Sequence, residues 1–201
     1  MICYTFEAEE KPLIPVTEIL RYAGMQNCND KEFYQKAQEI GNRCREVMTA
    51  RLVYQRCLIQ DIDADSVCFD NGIILKGTLP AKYLKDCKAA ILVLATVGQS
   101  VDRLIASCSV CSLAQGLLAD AAGSAAVEAT LDVFCESIAK QESLKPRISP
   151  GYGDFPLSNQ VVLIECLQGA KNLGVYLNDS MLMTPCKSVS ALIGIRKDNH
   201  V

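Results

Sequence analysis

The residues best suited to chemistry lie in one stretch, Arg147-Ile148-Ser149-Pro150-Gly151-Tyr152. A guanidinium is a planar fork of donors that fits a carboxylate. Pro146 and Pro150 hold the backbone extended, so the fork need not be ordered on binding. Gly151 lets the backbone approach a ligand closely, and Tyr152 adds a flat apolar face tipped with a hydroxyl. Together they suit a small ligand with a carboxylate at one end and a ring at the other, such as an amino-acid-bearing nucleoside. The plainer alternative is a surface loop whose arginine makes an ordinary salt bridge. A second candidate is Glu128, a carboxylate amid Ala and Val that must reach solvent or find a partner.

Other chemistries have less to stand on. There is a single His, which removes most His-based acid–base, triad and zinc mechanisms. The 11 Cys are odd in number and evenly spread, unlike a secreted disulfide framework. Cys108-Ser-Val-Cys111 has CxxC spacing, but eleven cysteines at this length give about 0.5 such pairs by chance. It follows the amphipathic stretch 101–106 and so falls at a helix end, whereas a thioredoxin-like pair needs a helix start. No second CxxC or CxxH completes a zinc set. Asp61-Ile-Asp-Ala-Asp lacks the Gly and distal Glu of a calcium loop.

Composition narrows the class further. The 201 residues are 50% hydrophobic and 21% charged, too apolar for a disordered chain and enough to bury one core. With 20 basic against 23 acidic residues the net charge is −3, no electrostatic handle for nucleic acid. The longest apolar run, 89–97, is far short of the ~20 residues a membrane span needs. Residues 1–10 carry Glu7, Glu9 and Glu10 and no basic n-region, unlike a signal peptide. The expectation is a cytoplasmic protein with reduced thiols, without nucleic-acid or membrane partners.

The positioning elements follow from periodicity. Thr17 caps a short helix ended by Gly24, and Asn29-Asp30 precedes a helix over 31–50. A β-like stretch covers 51–59, and Asp70-Asn71-Gly72 turns a hairpin between 66–69 and 73–75. A short helix over 79–87 leads into a central buried strand at 88–96, then a helix over 100–107. The longest helix spans 113–140, with small residues at 121–126 that permit close approach by a neighbouring element or a ligand. A Pro- and Gly-rich loop at 145–157 precedes a helix over 158–172. Strands at 174–177, 180–183 and 188–195 follow, then a polar tail, 196–201, holding His200. The order predicts one α+β unit over 1–201: a mainly helical part at 1–57 and a mixed core at 58–201 carrying the 145–157 loop. Its sheet is expected to be mostly antiparallel and twisted, packed with several helices.

The Arg-x-x-x-Gly-Tyr arrangement resembles the signature of the activation domain of cobalamin-dependent methionine synthase, which binds S-adenosylmethionine. The resemblance continues through 149–160, through Asn178 to Ala191 with its Ser-Val-Ser segment, and upstream through Ala95-Thr-Val-Gly and 118–128. It covers about residues 19–195. It implies that Arg147 holds the methionine carboxylate, that Gly151 allows close backbone approach, and that Tyr152 lies beside the ligand or faces the corrinoid. Pro150, Glu128, Ser188 and Ser190 complete the implied ligand site, with no metal ligand and no catalytic acid or base.

The resemblance also implies a role. S-adenosylmethionine would be brought to a corrinoid oxidised to cob(II)alamin, a flavodoxin-type donor would supply one electron, and methyl transfer would restore methylcobalamin. An in-line methyl transfer from sulfonium to cobalt needs no general base, so scarcity of His is no handicap. The family's acidic ligand contact near its N-terminus has only Glu7, Glu9, Glu10 and Glu18 as candidates here. The family's aromatic pair after Ser-Val-Ser is replaced by Arg196-Lys-Asp-Asn-His-Val. No Asp-x-His-x-x-Gly cobalamin motif occurs, so cobalamin would sit on a partner: a methionine synthase lacking this domain, or another corrinoid protein. Two other readings stand beside this one: a non-catalytic module docking to a corrinoid methyltransferase without binding S-adenosylmethionine, and a thiol redox or metal-binding protein built on Cys108 and Cys111.

Overall fold

The computed structural model describes residues 1–27 and 30–197. The chain begins β1 (Ile2–Thr5), α1 (Val16–Tyr22), α2 (Lys31–Val47) and β2 (Arg51–Ile62). A hairpin of β3 (Ser66–Phe69) and β4 (Ile74–Lys76) leads to α3 (Thr78–Leu84) and β5 (Cys87–Thr96). Then come α4 (Gln99–Cys111), α5 (Leu113–Ala139), α6 (Asn159–Cys166) and α7 (Gly169–Leu173). A small ribbon of β6 (Tyr176–Leu177) and β7 (Met183–Thr184) precedes β8 (Ser188–Arg196). The main sheet has six antiparallel strands in the order β4-β3-β2-β5-β8, with β1 also paired to β2.

β5 is the strand that the continuous apolar run predicts. Its side chains alternate between two cores, as the pleat requires. Ala89, Ile91, Val93 and Ala95 face α1, α2, α4 and α5, while Ala90, Leu92 and Leu94 face α3, α6, α7 and Phe155. β8 follows the same alternation, with Ala191 and Ile193 on the first side and Leu192 on the second. α5 lies close to its neighbours because its residues are small. A Cβ on Gly123 would come 2.9 Å from Lys187 Cγ, and one on Gly116 would come 2.5 Å from Ser109 Oγ. The small-residue stretch therefore packs against protein.

Several local expectations need correction. Thr17 does not cap α1; the helix starts behind Pro15, whose extended backbone fills the cap position without a side-chain bond. α2 stops at Val47, three residues short of the expected end, because Met48 turns extended and Thr49 N donates to Val97 O, 2.8 Å, on the way into β2. Asp30 caps α2, accepting from Glu32 N at 2.9 Å and Phe33 N at 3.3 Å, whereas Asn29 lies outside the described residues. The expected helix over 158–172 is two helices, broken at Gln168 with φ +49°. A boundary at residue 57 falls inside β2, and the N-terminal part contributes β1, an exposed four-residue strand that periodicity misses. The expected tail, including His200, lies outside the described residues from 198 onward. Among the described residues, no helix is long and apolar enough to cross a membrane.

One glycine matters for the site because it lets the 149–158 loop close on α3. Gly77 has φ +121°, and a Cβ there would lie 2.3 Å from Asp154 O. Gly72 has φ +81° and open space around it. Gly77→Ala is therefore expected to lower the unfolding free energy by at least about 2 kcal/mol, and Gly72→Ala by about 1 kcal/mol. Urea denaturation of both variants checks this; equal losses would contradict the steric account.

Candidate functional site

Arg147 is delivered by a segment that runs antiparallel along the outer edge of β8. Arg196 N donates to Ser143 O (2.9 Å), Lys145 N to Gly194 O (2.8 Å), and Ile148 and Leu192 exchange bonds of 3.0 and 2.8 Å. Tyr83 of α3 pins this segment. Its hydroxyl donates to Pro146 O at 2.7 Å and accepts from Gly194 N at 2.9 Å, while Lys145 Nζ donates to Tyr83 O at 2.5 Å. Burial pushes the Tyr83 phenol up to about 12, against the stabilising bond from Gly194. Ile148 then enters the second core while Arg147 reaches the other way, onto α5.

There Glu128 meets its partner. Arg147 Nε donates to Glu128 Oε2 at 3.1 Å, Nη2 donates to the same oxygen, and Nη1 donates to Asp132 Oδ1 at 2.6 Å. Side-chain exposure is 24% for Arg147, 31% for Glu128 and 58% for Asp132. Burial opposes the guanidinium's charge, but the two carboxylates outweigh it and hold Arg147 firmly protonated. The pair belongs to a longer stripe at four-residue spacing on α5, since Lys187 Nζ sits 2.8 Å from Asp120 Oδ1 and 3.0 Å from Ser124 Oγ. Residues four apart share one helix face, so Asp120, Ser124, Glu128 and Asp132 line up against the β8 edge.

The Gly-Tyr loop completes the mouth. Gly151 adopts φ +95° and donates to Phe155 O at 2.7 Å. An added Cβ would meet only Leu157 Cδ1 at 3.5 Å, so the torsion and not crowding calls for glycine. Pro150 is buried, and Phe155, fully buried, anchors the loop in the second core. Asp154 reaches α3, accepting from Thr78 N at 3.1 Å. Hydrogen bonds from Thr78 hold the Asp154 carboxyl below its usual range. Tyr152 is 71% exposed. With Glu128, Arg147, Ile148 and Ser149 it lines an open pocket of about 240 Å³.

Ser188 and Ser190 lie elsewhere. They share the β8 face of Leu192, opposite the face that meets α5. The Ser188 hydroxyl bonds Thr96 Oγ1 (2.8 Å) and Pro185 O (2.7 Å). Ser190 is 2% exposed, and its Oγ has no hydrogen-bond partner among the described residues. The structure thus brings together Glu128, Arg147, Gly151 and Tyr152, beside Pro150, and keeps the two serines apart from them. Of the acidic N-terminal candidates, Glu18 lines a second hollow of about 250 Å³ with Glu128 and Asp132, where it holds Arg21 at 2.7 Å. Glu7, Glu9 and Glu10 do not line it.

Asp132 was not among the expected residues, although it lies one helical turn beyond Glu128, where a second carboxylate shares the face. Cys135, a further turn on, also sits beside the guanidinium; burial pushes its thiol up and Arg147 draws it back down. The CxxC pair lies in the last turn of α4, with Cys108 buried, Cys111 exposed and both thiols free. Among the described residues, no group of three or more metal-ligating side chains occurs.

The sequence matches no family model and no curated protein. The solved structure of the MetH reactivation domain bound to AdoHcy superimposes with a TM-score of 0.75 at 16% identity, over 100% of this chain and 79% of that one. The fold is that of the MetH reactivation domain. Among the described residues, the α+β class, with a six-stranded antiparallel sheet, a two-stranded ribbon and seven helices, accords with that reactivation-domain fold.

The thiols offer a separate check. Burial pushes Cys44 and Cys57 up to about 12, whereas Cys3, Cys111 and Cys186 are exposed. A thiol reagent at pH 8, read by peptide mass spectrometry, is expected to label those three in the folded protein. Cys44 and Cys57 should react only after denaturation. Early labelling of Cys44 would contradict the packing of α2.

Proposed function

We propose that this chain binds S-adenosylmethionine at the Arg147 site and supports reductive methylation of cob(II)alamin on a separate corrinoid protein or methionine synthase, in the cytoplasm. The observation that carries the reading is a guanidinium held by two carboxylates at the mouth of the Gly-Tyr loop, in the fold of the MetH reactivation domain. The neighbour's AdoHcy supports an adenosyl ligand. The site has donors and acceptors for both ends of an amino-acid group. Each η nitrogen of Arg147 carries a second N–H for a carboxylate. Glu128 and Asp132 can accept from an α-ammonium, and the exposed Tyr152 ring offers a flat face to a base or a corrinoid.

In this reading the partner's corrinoid would be the methyl acceptor: one electron from a flavodoxin-type donor would make it nucleophilic, and it would take the sulfonium methyl while the bonding pair stays on sulfur and S-adenosylhomocysteine leaves. No proton moves. The chain's own task is to bind and orient the methyl donor.

A second reading is favoured by one observation: Arg147 is already engaged by its own carboxylates. It makes the chain a docking module for a corrinoid protein that binds no S-adenosylmethionine. Isothermal titration separates the two. The wild-type chain is expected to bind S-adenosylmethionine and S-adenosylhomocysteine, with Arg147→Ala weakening both by about 20-fold, as befits a lost charge-assisted bond. No heat at millimolar ligand would leave the docking module standing. Unchanged affinity in Arg147→Ala would remove that residue's role.

A further inference from the structure

Resting on that reading, the charges around Arg147 deepen it. Glu128 and Asp132 contribute two negative charges and Arg147 one positive, so the protein's side of the site sums to −1. An amino-acid group brings a carboxylate and an ammonium that cancel. A thioether ligand therefore leaves the site at −1, whereas a sulfonium ligand brings it to zero. In an extended methionine chain the sulfur stands about 5 Å from the carboxylate carbon. A ligand whose carboxylate sits on Arg147 therefore carries its sulfonium about 5 Å from that contact, a separation shorter than one Debye length, about 8 Å at physiological salt.

The two carboxylates are not equivalent. Glu128 commits one oxygen to two N–H groups of the fork and is the less exposed. Asp132 binds through Oδ1 to Nη1, and its side chain is 58% exposed. Asp132 lines the adjoining hollow between α5 and the segment at Pro12, Leu13 and Pro15, where Glu18 is held by Arg21, and Glu128 lines both that hollow and the Gly-Tyr pocket. Each carboxylate keeps one oxygen clear of the fork, and the more exposed of the two is Asp132.

We infer that Asp132 is a specificity-determining residue, which favours a sulfonium ligand over the corresponding thioether and so helps product leave after the methyl is transferred. Asparagine at this position keeps an acceptor for Nη1 and removes only the charge. The experiment is titration calorimetry on wild type, Asp132→Asn and Asp132→Glu. The ligands are S-adenosylmethionine, S-adenosylhomocysteine and the analogue with a primary ammonium at the sulfonium position.

Wild type is expected to prefer both cationic ligands over the thioether, and Asp132→Asn to cut that preference about fivefold, or about 1 kcal/mol. Asp132→Glu should retain the preference, and raising salt should shrink it in wild type. Thermal melts accompany each variant; if Asp132→Asn unfolds, the salt series and Asp132→Glu still decide the matter. Equal weakening of all three ligands in Asp132→Asn would overturn the inference by making the residue a mere support for Arg147. Wild type binding all three without preference would also overturn it, leaving the proposed function intact. Wild type binding none would instead overturn the proposed function.

Discussion

A strand buried on both faces can stand only between two covering layers, and β5 imposes that condition on the whole chain. Its ten residues are apolar at nearly every position and divide by parity between two cores. One side must be covered by α1, α2, α4 and α5, the other by α3, α6, α7 and the Gly-Tyr loop. The layers meet beyond β8, and the candidate site lies on that seam. Arg147 and Glu128 come together there because the chain leaving α5 folds back along the β8 edge and sends successive side chains to opposite layers.

The polar groups on this seam position more than they stabilise. Arg147, Glu128 and Asp132 are all partly exposed, where ion pairs contribute little and salt weakens them. Their value lies in geometry. A guanidinium gripped along two edges has a fixed plane, and the Tyr83 hydroxyl, bonded to Pro146 O and Gly194 N, fixes the backbone that carries it. The protein's own side chains thus order the site, with Glu128 and Asp132 setting the plane of the fork.

Much of the architecture was legible in the residues. The apolar run at 88–96, the long helix after Ser112 and the Asn-Gly hairpin each carry a local signal that tertiary packing reinforces. The chain breaks at Gln168 and the strand at Ile2–Thr5 carry none, because both are imposed by neighbours: an αL residue other than glycine, and a short strand recruited by β2. At the site, Glu128 announced itself as a carboxylate without an evident partner. Its pairing with Arg147, nineteen positions on, depends on the path along β8, which no spacing encodes. Ser188 and Ser190 sit in the expected strand, but the parity that sends them to the far face depends on register, and a one-residue slip reverses it.

The segment 143–148 has a second consequence. β8 is a long apolar strand at the end of the sheet, and its outer backbone groups at 192, 194 and 196 are taken by this segment. An uncovered edge of that kind is a template for pairing with another chain. The stretch that carries the guanidinium is therefore also the guard against intermolecular β-association. A substitution that frees it would bare the strand as well as misplace Arg147, and its mark in solution would be aggregation.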